Sequence, residues 1–464
     1  MQAHQERLAN VTRIDIFGLK EGGTIDGRLH APLRPSLPAL EPGKRYLLEV
    51  VVRTTGVGHH LTQGTADSNE LWLDITATAD GRVIGRSGGL DDAGAVDPWS
   101  YFVNSYVLDS NGNRIDRRNG QDIFVALYNH QIPPGAATVV HYQLDLPADI
   151  EGPVTLEAKL NYRKFDATYL QHIQGDSYIG NDLPITTMAT DRIALPVAGN
   201  QNDSTGQATN IQEYERWNDY GIGLLREGNS GSSKGELRQA EHAFQQVEQL
   251  GKGMGALNLA RVYFKEGRLD AAAQALVRAS EHADPAPPWT IAWFSARIDR
   301  ENGHLDSAIE TLESIIGNRF SAARARGFDF SYDVRVLNEL GRTRYERSRR
   351  LRGKQQQTAR LAELQRAAAW FKQVLEIDPE NLAAHYNLGL VYAQQGESTL
   401  AGQHRALHEK YRPDDHAVGQ AVARHRSINP AADHAAAAIA IYDLGRNLPG
   451  ATASPDQLVQ NSRR

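Results

Sequence analysis

The feature that most constrains this chain is a change of hydrophobic period along its length. From about residue 13 to 198 apolar residues come in short runs that alternate with polar ones, and from about 211 to 445 they recur every three to four positions. One kind of layer cannot satisfy both periods, so two architectures must follow each other. In the first part, the runs Arg45 to Thr55, Glu70 to Ala79, Tyr101 to Leu108, Ala137 to Leu146 and Val154 to Phe165 read as strands. LWLDITAT and VTLEAKLNY show the alternation of a strand with one face on a core. Asp80-Gly81 and Asn111-Gly112 sit between such runs and favour the positive φ angles of tight hairpin turns. About seven short strands between turn signals predict an all-β immunoglobulin-like sandwich over residues 13–198, preceded by an extension over 1–12.

The stretch AGNQNDSTGQATNIQ has nothing to bury and predicts a linker over 199–212. Beyond it the helical pattern repeats. A 34-residue unit of two antiparallel helices needs a small residue where the helices cross and large ones beside it, the pattern of tetratricopeptide repeats. HYNLGLVYAQQG carries it most clearly, with Gly389, Tyr392 and Ala401 in register; Gly341, Ala367 and Phe371 precede it. Ala260, Tyr263, Gly267 and Ala272 form another unit, Ala308 marks a weaker one, and Gly221, Ala240 and Phe244 open the array beside Trp217 and Tyr220. These residues are expected to pack the repeats: about five units with insertions over 213–413, then a capping segment over 414–445 and a disordered tail over 446–464. An all-α solenoid of this kind builds extended surfaces for protein or peptide partners, so a non-catalytic interaction scaffold is the expected function.

Composition narrows the chemistry. The 464 residues contain no cysteine, which excludes disulfides, thiolate metal sites, a cysteine nucleophile and covalent haem on this chain. Lys plus Arg number 50 against 56 Asp plus Glu, so there is no basic field for nucleic acid. No apolar run is long enough to span a membrane, and the first residues lack the apolar core of a signal peptide. As written, the chain is expected to be cytoplasmic or an incomplete exported protein.

Several motifs imitate catalytic ones. Gly85-Arg86-Ser87-Gly88-Gly89 matches a serine-hydrolase elbow, but a hairpin precedes it and no helix follows, so a glycine-rich loop is the better account. Asp109 to Asn113 opens like a calcium loop, yet Arg114 and Gly120 stand where glycine and a bidentate acid are required, which leaves a hairpin turn. No histidine pair has zinc-protease spacing, and His242, His282, His304 and His385 are expected to be solvated or packed. The segment from Val57 to Asp67 differs. It holds His59 and His60 in a glycine-bounded loop with Asp67 and Glu70 nearby, and an imidazole held there suits a haem or metal ligand or an acid–base group.

VGHHLTQGTADSNELWLDITATADGRVI resembles the G-H-x-F-P-x-G-T-x-D stretch of multihaem c-type cytochromes that carry a carboxy-terminal tetratricopeptide array. VDPWSYFVNSYVLDSNGNRI, YNHQIPPGAATVVHYQLDLP, LNYRKFDATY and HEKYRPDDHAVGQAVARHRSINPAADHAAAAIAIYDL continue the resemblance in the same order. Leu61 and Thr62 replace the usual Phe and Pro, and the haem-attachment region is absent. The resemblance implies association with a multihaem electron-transfer system in the periplasm, with haem c on a partner or on a missing preceding region. It also implies His59 as a ligand supplied to that haem in trans; a metal-dependent enzyme using His59, His60 and Asp67 is the remoter alternative.

Overall fold

The computed structural model describes residues 6–62, 68–199, 209–227, 234–317, 320–446 and 448. It divides into two compact units, one of residues 1–243 with 415–464 and the other of residues 244–414.

The first unit is built on two sheets. One has the order β11-β8-β3-β1-β2 and the other β10-β9-β4-β5. The strands are β1 (Thr12–Glu21), β2 (Leu29–His30), β3 (Arg45–Thr54), β4 (Glu70–Ala79), β5 (Arg82–Ser87), β8 (Ala137–Asp145), β9 (Val154–Arg163), β10 (Thr186–Leu195) and β11 (Ile441–Asp443). A separate hairpin pairs β6 (Ser105–Leu108) with β7 (Val125–Asn129). Pairings are antiparallel except that of β11 with β8. Residues from both sheets, among them Ile16, Leu48, Val50, Val140, Leu73, Ile75, Leu156 and Leu160, share one apolar core. The all-β sandwich expected from the alternating runs is therefore present. Asp80 and Gly81 both take positive φ, 50° and 74°, and turn β4 into β5 as the dipeptide predicts.

β3 departs from simple alternation because seven consecutive residues, from Tyr46 to Val52, are buried. Its second face is covered by helices from the region expected to open the repeat array. Helix α2 (Glu213–Glu227), which follows the short helix α1 (Ala167–Gln174) in the chain, presents Arg216, Asp219, Tyr220 and Gly223 to the sheet at the spacing of one helical face. Phe17 of β1 stacks on Tyr220 with centroids 4.4 Å apart and meets Trp217 edge-on at 5.0 Å. A Cβ on Gly223 would lie 2.6 Å from a methyl of Val139 and 2.8 Å from its backbone nitrogen, so only glycine lets the helix lie this close to β8.

This changes the expected layout. Trp217, Tyr220 and Gly221 belong to the unit of the sandwich, and helix α3 (Lys234–Gln249) carries Ala240 in the first unit and Phe244 in the second. The expected linker lies mostly in 200–208, outside the described residues, and so does nearly all of the expected tail. The segment expected to cap the array also joins the first unit. Helices α13 (Asp415–Ile428) and α14 (Pro430–Ala435) lead into β11, where Tyr442 and Leu444 are buried in the sandwich core. His425 of α13 reaches the Gly112 carbonyl at 2.9 Å and the Tyr106 hydroxyl at 3.0 Å. Three residues of strand at the end of an alanine-rich stretch are too short for periodicity to reveal.

The second unit consists of antiparallel helix pairs. They are α4 (Gly253–Lys265) with α5 (Leu269–Glu281), α6 (Pro288–Asn302) with α7 (Leu305–Gly317), α9 (Val334–Arg350) with α10 (Gln357–Ile377), and α11 (Leu382–Gln395) with α12 (Ser398–Tyr411). The short α8 (Ser321–Ala325) lies between α7 and α9. Ala260, Tyr263, Ala272, Ala308, Ala367, Phe371, Tyr392 and Ala401 are buried, as their places in the repeat require. A Cβ on Gly341 would meet the Phe371 ring at 2.8 Å, whereas one on Gly389 would meet a methylene of Arg405 at 3.2 Å. Gly267 does not pack: it is exposed, with φ of 74°, and turns α4 into α5.

Candidate binding face of the helical array

Successive repeats place equivalent residues on one side of an array, and here arginine follows three of the small crossing residues. Arg261 follows Ala260, Arg297 follows Ala296, and Arg342 follows Gly341. The side chains of α4 and α6 interlock through these positions. The Arg297 guanidinium lies 4.4 Å from the Phe264 ring centre and 5.6 Å from that of Trp293. Arg261 lies 5.4 Å from Phe294, and Phe264 meets Phe294 edge-on at 6.1 Å. All five side chains are half-buried, so each keeps part of its surface open.

The electrostatics of this face are unbalanced. Among the described residues, neither Arg261 nor Arg297 has a carboxylate at ion-pair distance, and the Nε atom of each is buried without a hydrogen-bond partner. Burial alone lowers the pKa of Arg261 from its ordinary value. Burial is also the main cause of the lowering at Arg297, with Arg300 and Arg342 adding to it and Glu339 and Glu301 opposing it. Burial likewise lowers the pKa of Lys265. Arg300, three residues beyond Arg297, shows the contrast: its guanidinium is paired with Glu301, Glu339 and Glu346. Arg342 is exposed and bonded to Glu346 at 3.2 Å. Two desolvated cations framed by aromatic rings form a site suited to an anionic group with apolar surface beside it. This pair was absent from the sequence-derived candidates; the recurring arginine after the crossing residue was the signal that could have found it.

The catalytic imitations resolve as structure. Ser87 ends β5 opposite Ile75 in an antiparallel sheet, and Gly88 fits so tightly that a Cβ would lie 2.3 Å from the Leu73 carbonyl oxygen. Asp109 caps a hairpin, its Oδ1 accepting from the backbone of Asn111 and Asn113 at 2.8 Å each. His59 and His60 are exposed, and Asp67 lies outside the described residues. Glu70 is removed from that loop chemistry, because it is buried in an ion pair with Arg163, with its pKa raised to about 7 by burial against the opposing pull of Arg163. The His59 Nδ1 lies 2.8 Å from the His60 carbonyl oxygen; as that oxygen only accepts, Nδ1 is the donor and Nε2 is left outside this bond. Among the described residues no group of three or more His, Asp or Glu is arranged to hold a metal ion.

A second polar constellation is structural. Glu49 and His141 sit directly opposite each other on β3 and β8. Glu49 pairs with Lys20 at 2.6 Å and with His141 Nδ1 at 2.9 Å, and His141 Nε2 lies 3.3 Å from Glu236 of α3. All four are almost completely buried. Glu49 and Glu236 raise the His141 pKa to about 10 against the cost of burial, and His141 and Lys20 hold Glu49 down to about 2. Beside them Arg216 bonds both Asp15 oxygens at 2.7 and 2.9 Å, and Asp219 joins Arg13 and Arg53. These groups are buried, apart from the half-buried Arg13 and Arg53, and hold helix to sheet.

Two family models match the chain: TPR repeat over residues 363–396 and tetratricopeptide repeat over residues 225–288. No curated protein matches by sequence. Among solved structures, MamA from Desulfovibrio magneticus RS-1 is similar at 12% identity over 44% of this chain and 97% of its own, with a TM-score of 0.33. YrrB, described as a TPR protein with an unusual peptide-binding site, is similar at 15% identity over 45% of this chain and 92% of its own, with a TM-score of 0.30. The chain thus joins a two-sheet β region to helices that contain tetratricopeptide repeats.

Proposed function

We propose that this protein is an interaction scaffold whose helical array docks an extended anionic segment of a partner protein across α4 and α6. The observation that carries this reading is the pair Arg261 and Arg297, desolvated against Phe264, Phe294 and Trp293 with no carboxylate at ion-pair distance among the described residues. A protein gains little by burying unpaired cations, and a bound carboxylate would make charge-assisted hydrogen bonds there. The test uses the full chain and a fluorescent twelve-residue peptide of alternating Glu and Phe, with a Lys–Phe peptide as control. The acidic peptide should bind with an affinity that falls as salt rises, and Arg261→Ala/Arg297→Ala should weaken it at least tenfold. Equal binding of both peptides, or an unaffected double variant, would overturn the reading.

The sequence resemblance supports a multihaem c-type cytochrome as the partner system, in the periplasm. A second role rests on His59: its Nδ1 is held by a backbone carbonyl, the arrangement that orients ligating imidazoles and leaves Nε2 available. We propose that His59 supplies a ligand in trans to a haem on that partner. His59→Ala should then alter the Soret band of a cytochrome reconstituted with this chain while His60→Ala does not. Identical spectra for the two variants would remove His59 from the interaction.

A further inference from the structure

The last helix pair of the array brings two imidazoles face to face. His385 of α11 is buried, and His404 of α12 is half-buried. Their Nδ1 atoms are 3.0 Å apart, and His385 Nε2 lies 2.9 Å from the Pro379 carbonyl oxygen. That carbonyl can only accept, so it fixes the hydrogen of neutral His385 on Nε2 and turns the Nδ1 lone pair towards His404. A ring N–H bonded to a backbone carbonyl, which leaves the other nitrogen to ligate, is the outer-shell arrangement of metal-binding histidines. The rings are further held by stacking, His385 on Tyr411 at 5.7 Å and His404 on Tyr392 at 5.5 Å.

We propose that His385 and His404 form a two-histidine clip for a divalent copper or nickel ion, fastening α11 to α12. The separation suits such an ion. With metal–nitrogen bonds of roughly 2.0 Å, adjacent ligands of a square-planar ion lie about 2.9 Å apart, and those of a tetrahedral ion about 3.3 Å. The observed 3.0 Å fits the square-planar case and would have to widen for zinc. Water fills the remaining positions. In the metal-free pair His404 donates its Nδ1 hydrogen to His385. On metal binding that hydrogen is lost from Nδ1 and one is gained from solvent at Nε2, so His404 changes tautomer with no net proton released from the neutral ring.

The charged neighbour is Lys372 of α10, which acts on His404 together with His385; both, after burial, lower the His404 pKa. The ammonium repels a metal ion. The experiment titrates the full chain with Cu²⁺ and with Ni²⁺ at pH 7.5, reading calorimetry, the nitrogen hyperfine pattern of bound Cu²⁺ and the thermal shift. One ion beyond those bound by His404→Ala is expected, with nitrogen ligation and a higher melting temperature. His385→Ala should lose the same ion, Lys372→Met should bind it more tightly, and His408→Ala, one turn along α12, should keep it. Equal stoichiometry for the parent and His404→Ala, or loss of the ion in the folded His408→Ala variant, would overturn the clip and leave a hydrogen-bonded pair. Circular dichroism of each variant separates a lost ligand from a lost fold.

Discussion

The two units hold their helices by a different balance of charge and close packing. Where α2 and α3 cover the sheet of β1, β3 and β8, the seam is crowded with charge: Asp15 with Arg216, Arg13 and Arg53 with Asp219, and Lys20, Glu49, His141 and Glu236 in a row. Where helices of the array cross, small residues set the approach, as at Gly341 against Phe371, beside ion pairs such as buried Arg344 with Glu363. Buried ion pairs contribute little net stability over an apolar seam, but they tolerate no mismatch, because a lone buried charge is costly. Small-residue crossings work by distance alone. The charged seam therefore selects one register of helix on sheet, and the small-residue crossings let one repeat lie closely on another.

Breaking the charged seam should produce the largest effect. Glu49→Ala leaves Lys20 and His141 without their shared carboxylate and is expected to cost about 3–5 kcal/mol in urea unfolding of the first unit. A loss below 1 kcal/mol would show that the seam is not maintained in solution. Replacing the group together, as Lys20→Met/Glu49→Leu/His141→Phe/Glu236→Leu, should recover most of that loss, because no charge is left unpaired.

Crowding a small-residue crossing should come next. Gly341→Leu must displace the Phe371 ring and is expected to cost roughly 1–3 kcal/mol or more. Gly389→Leu should cost less, since it meets the flexible Arg405 side chain, and exposed Gln394→Leu should lie within about ±0.5 kcal/mol. Equal melting temperatures for the Gly341 and Gln394 variants would disprove the crossing geometry.

Titration sharpens the contrast, because the charged seam should respond to pH. The His141 pKa is raised, so its contribution is complete below about 6.5 and is lost as pH rises towards about 10. The Glu49 pKa is lowered, so its contribution is present above about 4.5 and is lost as pH falls towards about 2. His130, driven down to about 4 mainly by burial, also withdraws stability as pH falls from about 6.5. Comparing urea midpoints of the parent and His141→Phe from pH 6 to 10 isolates the alkaline arm: the parent should lose more stability than the variant. Parallel profiles would show that His141 gains nothing from its acids. The smallest effect is expected at exposed His59, where His59→Ala should leave stability within about ±0.5 kcal/mol.

Much of the fold was legible because it is written locally. Alternation marked β4 and β9, Asp80-Gly81 marked their hairpin neighbour's turn, and Ala260, Gly341 and Gly389 marked helix crossings. The binding face was half-legible. The repeat register pointed to one side of the array, but nothing in the order of residues says that Arg261 has no acid at ion-pair distance among the described residues while Arg300 has three, since two of those, Glu339 and Glu346, lie on another helix.

What the sequence alone determined is therefore the kind of element at each place and the kind of surface it needs, because periodicity, turn chemistry and residue size act within a few residues. Ownership was decided only by tertiary structure. Trp217 and Tyr220 carry helical spacing suited to a repeat, yet Phe17, some 200 residues earlier, takes them for the sheet. Ile441–Asp443 is too short to declare itself a strand, but β8 offers an open edge, and backbone groups at such an edge gain hydrogen bonds from whatever chain reaches them. The pairing of His385 with His404 belongs to the same class. Nineteen residues separate them along the chain, and only the antiparallel return of α12 on α11 sets their nitrogens 3.0 Å apart.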